Sequence, residues 1–216
     1  MSLERSTLKA TLTLMLVAVV LSMAVWSAGA GGAASALTYS YANLLEGKVW
    51  TLLTSLFIHA SLLHLLGNLL FLFVFGSAVE GELGAPKMLG GFFLGGALSF
   101  VLSSAFYPSE TAMVGASAAI FTLAAVATLV KPLRFSWILL SPIGLVAIVY
   151  FLYNALAVYG RVLSEVSYIG HLIGFAVGFA LGAAWSRRWR VNLLIAVALL
   201  VAYFAAFKLI MWLLGG

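Results

Sequence analysis

Apolar residues in this chain run in long blocks, and the polar residues collect in short clusters between them. A membrane-crossing helix needs roughly 20 mostly apolar residues. Seven blocks approach that length, at about 8–28, 59–79, 85–106, 115–130, 135–157, 167–185 and 191–214. The pattern predicts an all-α membrane protein. The fourth block is short, so its first turn is expected inside the bilayer, with the preceding loop dipping to meet it. The long segment 29–58 has an apolar second half, VWTLLTSLFIH, that is expected along the membrane surface. Arg5 and Lys9 before the first block, and SAGAGGAASA after it, resemble a secretory leader. The run 10–26 is longer than the roughly 7–15 residues of a leader's apolar region. It is therefore read as a helix.

Composition agrees, with 64% hydrophobic and 8% charged residues, where soluble domains carry about a quarter charged. Eleven Lys and Arg against six Glu give a net charge of +5. With the N-terminus inside, the inner segments hold Arg5, Lys9, Lys87, Lys131, Arg134, Arg187, Arg188 and Arg190, and the outer loops only Lys48 and Arg161. Lys208 falls in the last block, towards its outer end. This asymmetry predicts a cytoplasmic N-terminus and an outer C-terminus. Basic residues scattered among short loops form no patch, which argues against nucleic-acid binding. The chain has no Cys and no Asp. Thiolate nucleophiles, cysteine metal sites and a Ser-His-Asp triad are thereby excluded.

Polar groups inside hydrocarbon are costly and usually functional. The informative ones are His59, His64, Asn68, Ser117, Asn154 and His171. Blocks two, four and six all enter from the outer side, so His64 and Asn68, Ser117, and His171 fall at similar depth in the outer half. Blander readings stand beside this one. A membrane serine commonly bonds the carbonyl one turn back. His64 and Asn68, four apart on one helix face, suit interhelical hydrogen bonding, and Asn154 reads as the same glue. His59 reads as interfacial. His59 and His64 project about 140° apart on a helix, poor geometry for joint chelation, so no metal is expected.

The block VGASAAIF, residues 114–121, sharpens the functional reading. The first turn of a helix has backbone N–H groups without intrahelical partners, and these welcome an anion. A serine there sits beside a ready-made oxyanion hole. Gly115 permits tight backbone approach, and His64 and Asn68 add side-chain donors. His171 is the candidate base. It lies in GHLIGFAVGFALG, where Gly170, Gly174, Gly178 and Gly182 recur every four residues. Such a ridge lets another helix press on its backbone. Ala118, Thr122 and Ala125 offer the matching ridge, and Phe121, one turn below Ser117, is placed to pack under the imidazole.

These blocks together resemble the rhomboid intramembrane serine proteases. EGKVWTLLTSLFIHASLLHLLGN is similar to that family's first outer loop and His-x-x-x-x-His-x-x-x-Asn helix, GSAVEGELG to the turn after it, VGASAAIF to its nucleophile block, and GHLIGFAVG to its His-bearing helix. The resemblance covers Glu46 to about Trp185. It implies a rhomboid-like six-helix transmembrane bundle at 8–186, with 1–7 as cytoplasmic N-terminus and 29–58 as outer loop. Residues 187–216 would form a basic loop and an additional C-terminal transmembrane helix. It implies Ser117 as nucleophile, His171 as general base and acid, and His64, Asn68 and the Ser117 N–H as oxyanion stabilisers. Gly115, Ala118, Phe121 and Gly174 would support them. The family's glycine after the serine is Ala118 here, and its Trp-Arg pair reads Trp50-Thr51. The expected activity is hydrolysis of a peptide bond near the outer end of transmembrane protein substrates, in the plasma membrane, without a cofactor. Substrate would enter sideways from the lipid bilayer past block five, whose inner end Pro142 and Gly144 would loosen. The oligomeric state is left open. The competing readings are an inactive rhomboid-like protein that binds membrane clients and, from another class, a small channel or transporter.

Overall fold

A computed structural model describes residues 8–29, 32–161 and 167–214. The expected cytoplasmic N-terminus at 1–7 and the last two residues of the C-terminal segment lie outside the described residues. The fold is a bundle of apolar helices. Five are long and apolar enough to cross a membrane, and two shorter ones stand among them. This is a multi-pass integral membrane protein.

Helix α1 (Lys9–Ala28) is built into the bundle at both ends. Its first N–H groups lack intrahelical partners, and the buried Glu80 carboxylate supplies them. Ala10 N donates to Oε1 (3.0 Å), and Thr11 N (2.8 Å) and Thr11 Oγ1 (2.6 Å) donate to Oε2. At the C-terminal end of α1, Ser22 Oγ donates to Phe57 O (3.0 Å) and Trp26 Nε1 to His59 O (2.8 Å).

Three short helices follow, α2 (Gly32–Leu37), α3 (Tyr41–Leu45) and α4 (Thr51–Thr54), the last continuing as a 3-10 turn, Ser55–Phe57. The expected surface-lying segment is half right. Val49, Trp50 and Leu53 are exposed, whereas Thr51 and the run Ser55 to His59 are buried. Thr51, where the family carries arginine, donates its hydroxyl to Lys48 O (2.7 Å).

The second crossing is α5 (Leu62–Phe71), a π-helical turn (Leu72–Gly76) and α6 (Ser77–Leu83), which together span Leu62–Leu83. It starts three residues later than expected because Ser61 caps it, accepting from His64 N (3.2 Å). His59 is left in the loop before it. Helix α7 (Ala85–Ser103) leads to α8 (Ser117–Val130), whose 14 residues rise about 21 Å, short of a roughly 30 Å hydrocarbon core. Helix α8 begins among the other helices, with Ala116 and Ala118 buried.

The block 135–157 is not one helix. Phe135–Ser136 (β1) and Ser141–Pro142 (β2) pair antiparallel as a small hairpin before α9 (Ile143–Tyr159). Proline disfavours helical conformation in the residue before it, so the helix starts after Pro142. The N-terminal end of α9, expected to be loosened by Pro142 and Gly144, is anchored. Ile143 N donates to Arg134 O (2.9 Å) and Gly144 N to Pro132 O (3.0 Å), and a Cβ at Gly144 would meet Pro132 Cβ at 2.7 Å.

Helix α10 (Tyr168–Trp185) buries only Gly170, His171, Gly174, Gly178 and Gly182. That glycine face packs on α8. A Cβ at Gly174 would overlap the Ala118 carbonyl oxygen, and one at Gly178 that of Thr122. Thr122 Oγ1 donates across the contact to Gly174 O (2.8 Å). Helix α11 (Trp189–Leu213) closes the chain's order along α8 and α9.

Candidate active site

Ser117 is the first residue of α8, and His171 lies one turn into α10. The glycine contact between these helices brings their side chains together, with Ser117 Oγ 2.8 Å from His171 Nε2. The other ring nitrogen is engaged too. His171 Nδ1 lies 2.7 Å from Asn154 Oδ1, on α9. The direction of each bond can be worked out. Asn154 Nδ2 donates to Tyr150 O (2.7 Å), so the amide oxygen must be the atom facing His171. An amide oxygen only accepts. Nδ1 therefore carries the proton, and Nε2 is left to accept from the Ser117 hydroxyl. The imidazole also stacks on Phe121, with centroids 4.5 Å apart and planes 9° from parallel, as the spacing predicts. Asn154, expected only to glue helices, is thus a partner of the histidine. Its signal in the sequence was burial-prone polarity without an address.

The backbone before Ser117 is held from the segment between α1 and α5. Gly115 has φ +107°, a conformation that side chains resist. A Cβ there would also lie 2.7 Å from His64 Cε1 and 2.8 Å from Nε2. Gly115 N donates to Ser55 O (2.8 Å), and Met113 N to Tyr39 O (2.8 Å). The buried Ser55 hydroxyl accepts from Tyr39 N and donates to Leu37 O (3.1 Å). Ser55 therefore links the chain at Leu37 and Tyr39 to the serine loop, a role invisible in the sequence because its partners are distant. Ala118 is buried, and its methyl is accommodated beside the 2.8 Å serine–histidine pair.

His64 covers Gly115. Its Nδ1 faces Ala60 N at 3.4 Å. A backbone N–H donates, so Nε2 is the protonated nitrogen beside the serine loop. Asn68 Nδ2 donates to His64 O (2.8 Å), with its second N–H left over. His59 is packed within the protein, in the loop before α5. It is 1% exposed, bonded through Nδ1 to Ser22 Oγ (3.0 Å) and edge-on to His64, with centroids 5.1 Å apart. Burial first, and the neighbouring His64 second, lower its pKa to about 4. It is neutral at pH 7. Among the described residues no three His, Cys, Asp or Glu gather as a metal-ion site requires.

A multi-pass helical membrane protein with a half-buried serine held against a buried, oriented histidine is the class that fold and site define. The family model for the Rhomboid domain matches residues 46–188, and the chain belongs to the rhomboid family. It is similar to the protein named Rhomboid protease GlpG from Salmonella newport (strain SL254) and from Salmonella heidelberg (strain SL476). Each is 40% identical over 53 residues, 24% of this chain and 19% of the relative. The family match excludes α1 and α11.

Proposed function

We propose that this chain is an intramembrane serine endopeptidase using a Ser117–His171 dyad to cut near the outer end of substrate transmembrane segments. The observation that carries the reading is the 2.8 Å contact between Ser117 Oγ and His171 Nε2. His171 Nε2 takes the hydroxyl proton as Ser117 Oγ attacks the scissile carbonyl. The resulting imidazolium keeps its Nδ1–H on Asn154, which needs no carboxylate. The tetrahedral oxyanion is met by the Ser117 N–H at the start of α8, by His64 Nε2–H and by the spare N–H of Asn68. His171 returns the proton to the leaving amine, and the acyl-enzyme forms. It then deprotonates a water that attacks the acyl carbon, and as the second tetrahedral intermediate collapses it returns that proton to Ser117 Oγ, releasing the new carboxyl end and restoring the dyad.

A substrate helix has its carbonyls engaged, so the segment must unwind locally to present one. Water is consumed, so the site must open to an aqueous side, and the charge asymmetry makes that side the outer one. With the inner end of α9 tied, entry from lipid past α9 calls for movement at its outer end. The core in this reading is 8–186, with 187–216 appended, in the plasma membrane.

The test uses purified protein in liposomes, a serine-directed fluorophosphonate and a model transmembrane substrate. Wild type labels and cleaves, and Ser117→Ala and His171→Ala do neither. Cleavage surviving Ser117→Ala would end the assignment. Labelling without cleavage of any substrate would favour a client-binding role.

A further inference from the structure

Between α8, α9, α10 and α11 lies a cavity of about 530 Å³, lined by Leu129, Phe151, Phe175, Phe179, Leu193 and Val197 among others. That volume is within the roughly 300–1,000 Å³ of small-ligand sites. Its one polar lining side chain, Thr128, donates its hydroxyl to Ala124 O (2.8 Å) and offers nothing inward. Leu152 and Val197 line it and are exposed, so it opens to the surroundings between α9 and α11. Counting along α10 and α11, its lining runs from mid-helix, at Phe175 and Leu200, towards the α10–α11 turn, at Phe179 and Leu193.

That turn is basic and aromatic. Arg187, Arg188 and Arg190 are exposed, and among the described residues none pairs with a carboxylate. The turn is physically joined to the cavity. The Arg190 guanidinium lies over the Trp189 ring at 5.3 Å, and Trp189 meets Phe179 of the cavity wall edge-on at 5.8 Å. Asn192 Nδ2 bolts α11 to Leu129 O (2.7 Å) and Val130 O (3.0 Å), which holds the cavity floor to the turn.

We propose that this cavity and turn form a binding site for an anionic phospholipid of the adjacent leaflet. One acyl chain fills the cavity between α9 and α11, and the headgroup phosphate meets Arg187, Arg188 and Arg190. The apolar walls fit a chain without polar atoms. The arginines select the headgroup, because a planar guanidinium matches a phosphate's paired oxygens. Juxtamembrane basic residues attract anionic lipid in this way. The site is lined by α8 residues Ala125, Thr128 and Leu129, two or more turns along the helix from Ser117, and does not depend on the protease reading.

The full-length protein, delipidated in detergent, is titrated with phosphatidylglycerol or phosphatidylcholine of matched chains and followed by native mass spectrometry and thermal unfolding. One phosphatidylglycerol per chain is expected to bind about tenfold or more tightly than phosphatidylcholine and to raise the unfolding temperature. The triple Arg→Gln variant at 187, 188 and 190 should lose the preference. Ala176→Phe, which fills the cavity, should lose binding of both lipids. The arginines are exposed, so their variant folds and carries the test even where Ala176→Phe does not. Equal binding of the two lipids by wild type overturns the proposal, as does an unchanged preference in the arginine variant. A dimer that excludes lipid would give the cavity to a second copy and overturn it as well.

Discussion

Helices α8 and α11 are both almost wholly apolar, yet their fates differ. Every residue of α8 from Ala118 to Leu129 is buried, whereas α11 buries only Ala196. Hydrophobicity does not separate them. In lipid there is no hydrophobic drive between helices, so small residues and polar contacts decide what packs. Helix α8 reads SAAIFTLAAVATLV, with Ala and Thr on every face, and α10 meets it with glycines. Helix α11 carries Leu, Phe and Trp on its surface, with Asn192 as its polar tie. The glycine contact between α8 and α10 is also where the serine and histidine meet, so close packing is what positions the chemistry.

The largest effect should come from removing either partner of that meeting. Ser117→Ala or His171→Ala is expected to reduce cleavage of a model transmembrane substrate by about 10⁴-fold or more. Thermal unfolding should hardly change, since the helix contact is made by backbone and glycine. Residual activity within tenfold of wild type in either variant would detach the chemistry from the α8–α10 contact.

A substitution to valine should then have opposite outcomes at the α8–α10 contact and on α11. Gly178→Val places carbon on the Thr122 carbonyl, which is backbone and has no rotamer to yield. Overpacking costs about 1–3 kcal/mol where side chains can shift, and here the helices themselves must separate. The variant should lose folded protein in size-exclusion chromatography and lose cleavage with it. Ala205→Val, on the exposed surface of α11, should behave as wild type in both assays. If Gly178→Val folds and cleaves normally, the tight contact is not what positions the site.

Asn154 tests how finely that contact must be trimmed. Replacing it by Leu leaves His171 Nδ1–H without its acceptor and frees the ring to take the wrong tautomer. Loss of a buried hydrogen bond costs about 1–3 kcal/mol, so kcat should fall about 10- to 100-fold. KM should change little, which separates positioning from substrate binding. A change confined to KM would remove Asn154 from the histidine's orientation.

Residues whose meaning depends on local spacing were legible in the sequence. The four-residue glycine period, the serine at a helix start and Phe121 one turn below it could all be placed by counting. Asn154, Ser55 and Glu80 could not, because each acts on a partner far along the chain: His171, Gly115 and the first turn of α1. The β1–β2 hairpin was missed for a different reason. Trp137, Ile138 and Leu140 are exposed apolar residues, and hydropathy alone cannot tell such a loop from a helix. Pro142 was the one local signal of the true start, and it was taken for a source of looseness. In the folded chain the residues beside it are hydrogen-bonded to Pro132 and Arg134.

The smallest expected effect lies at Asn192, the polar tie of the loosely packed helix. Its amide donates to Leu129 O and Val130 O at 2.7 and 3.0 Å, carbonyls at the end of α8 that no further helical turn can satisfy. Asn192→Leu removes both bonds. Side-chain hydrogen bonds between membrane helices average about 0.6 kcal/mol, so thermal unfolding should shift only slightly. Leu129 is twelve residues along α8 from Ser117, about 18 Å away, and the glycine contact stands between them. Cleavage should therefore stay within about twofold of wild type. A tenfold loss would mean that α11 controls the far end of α8, and the two helices would no longer differ in what they do for the site.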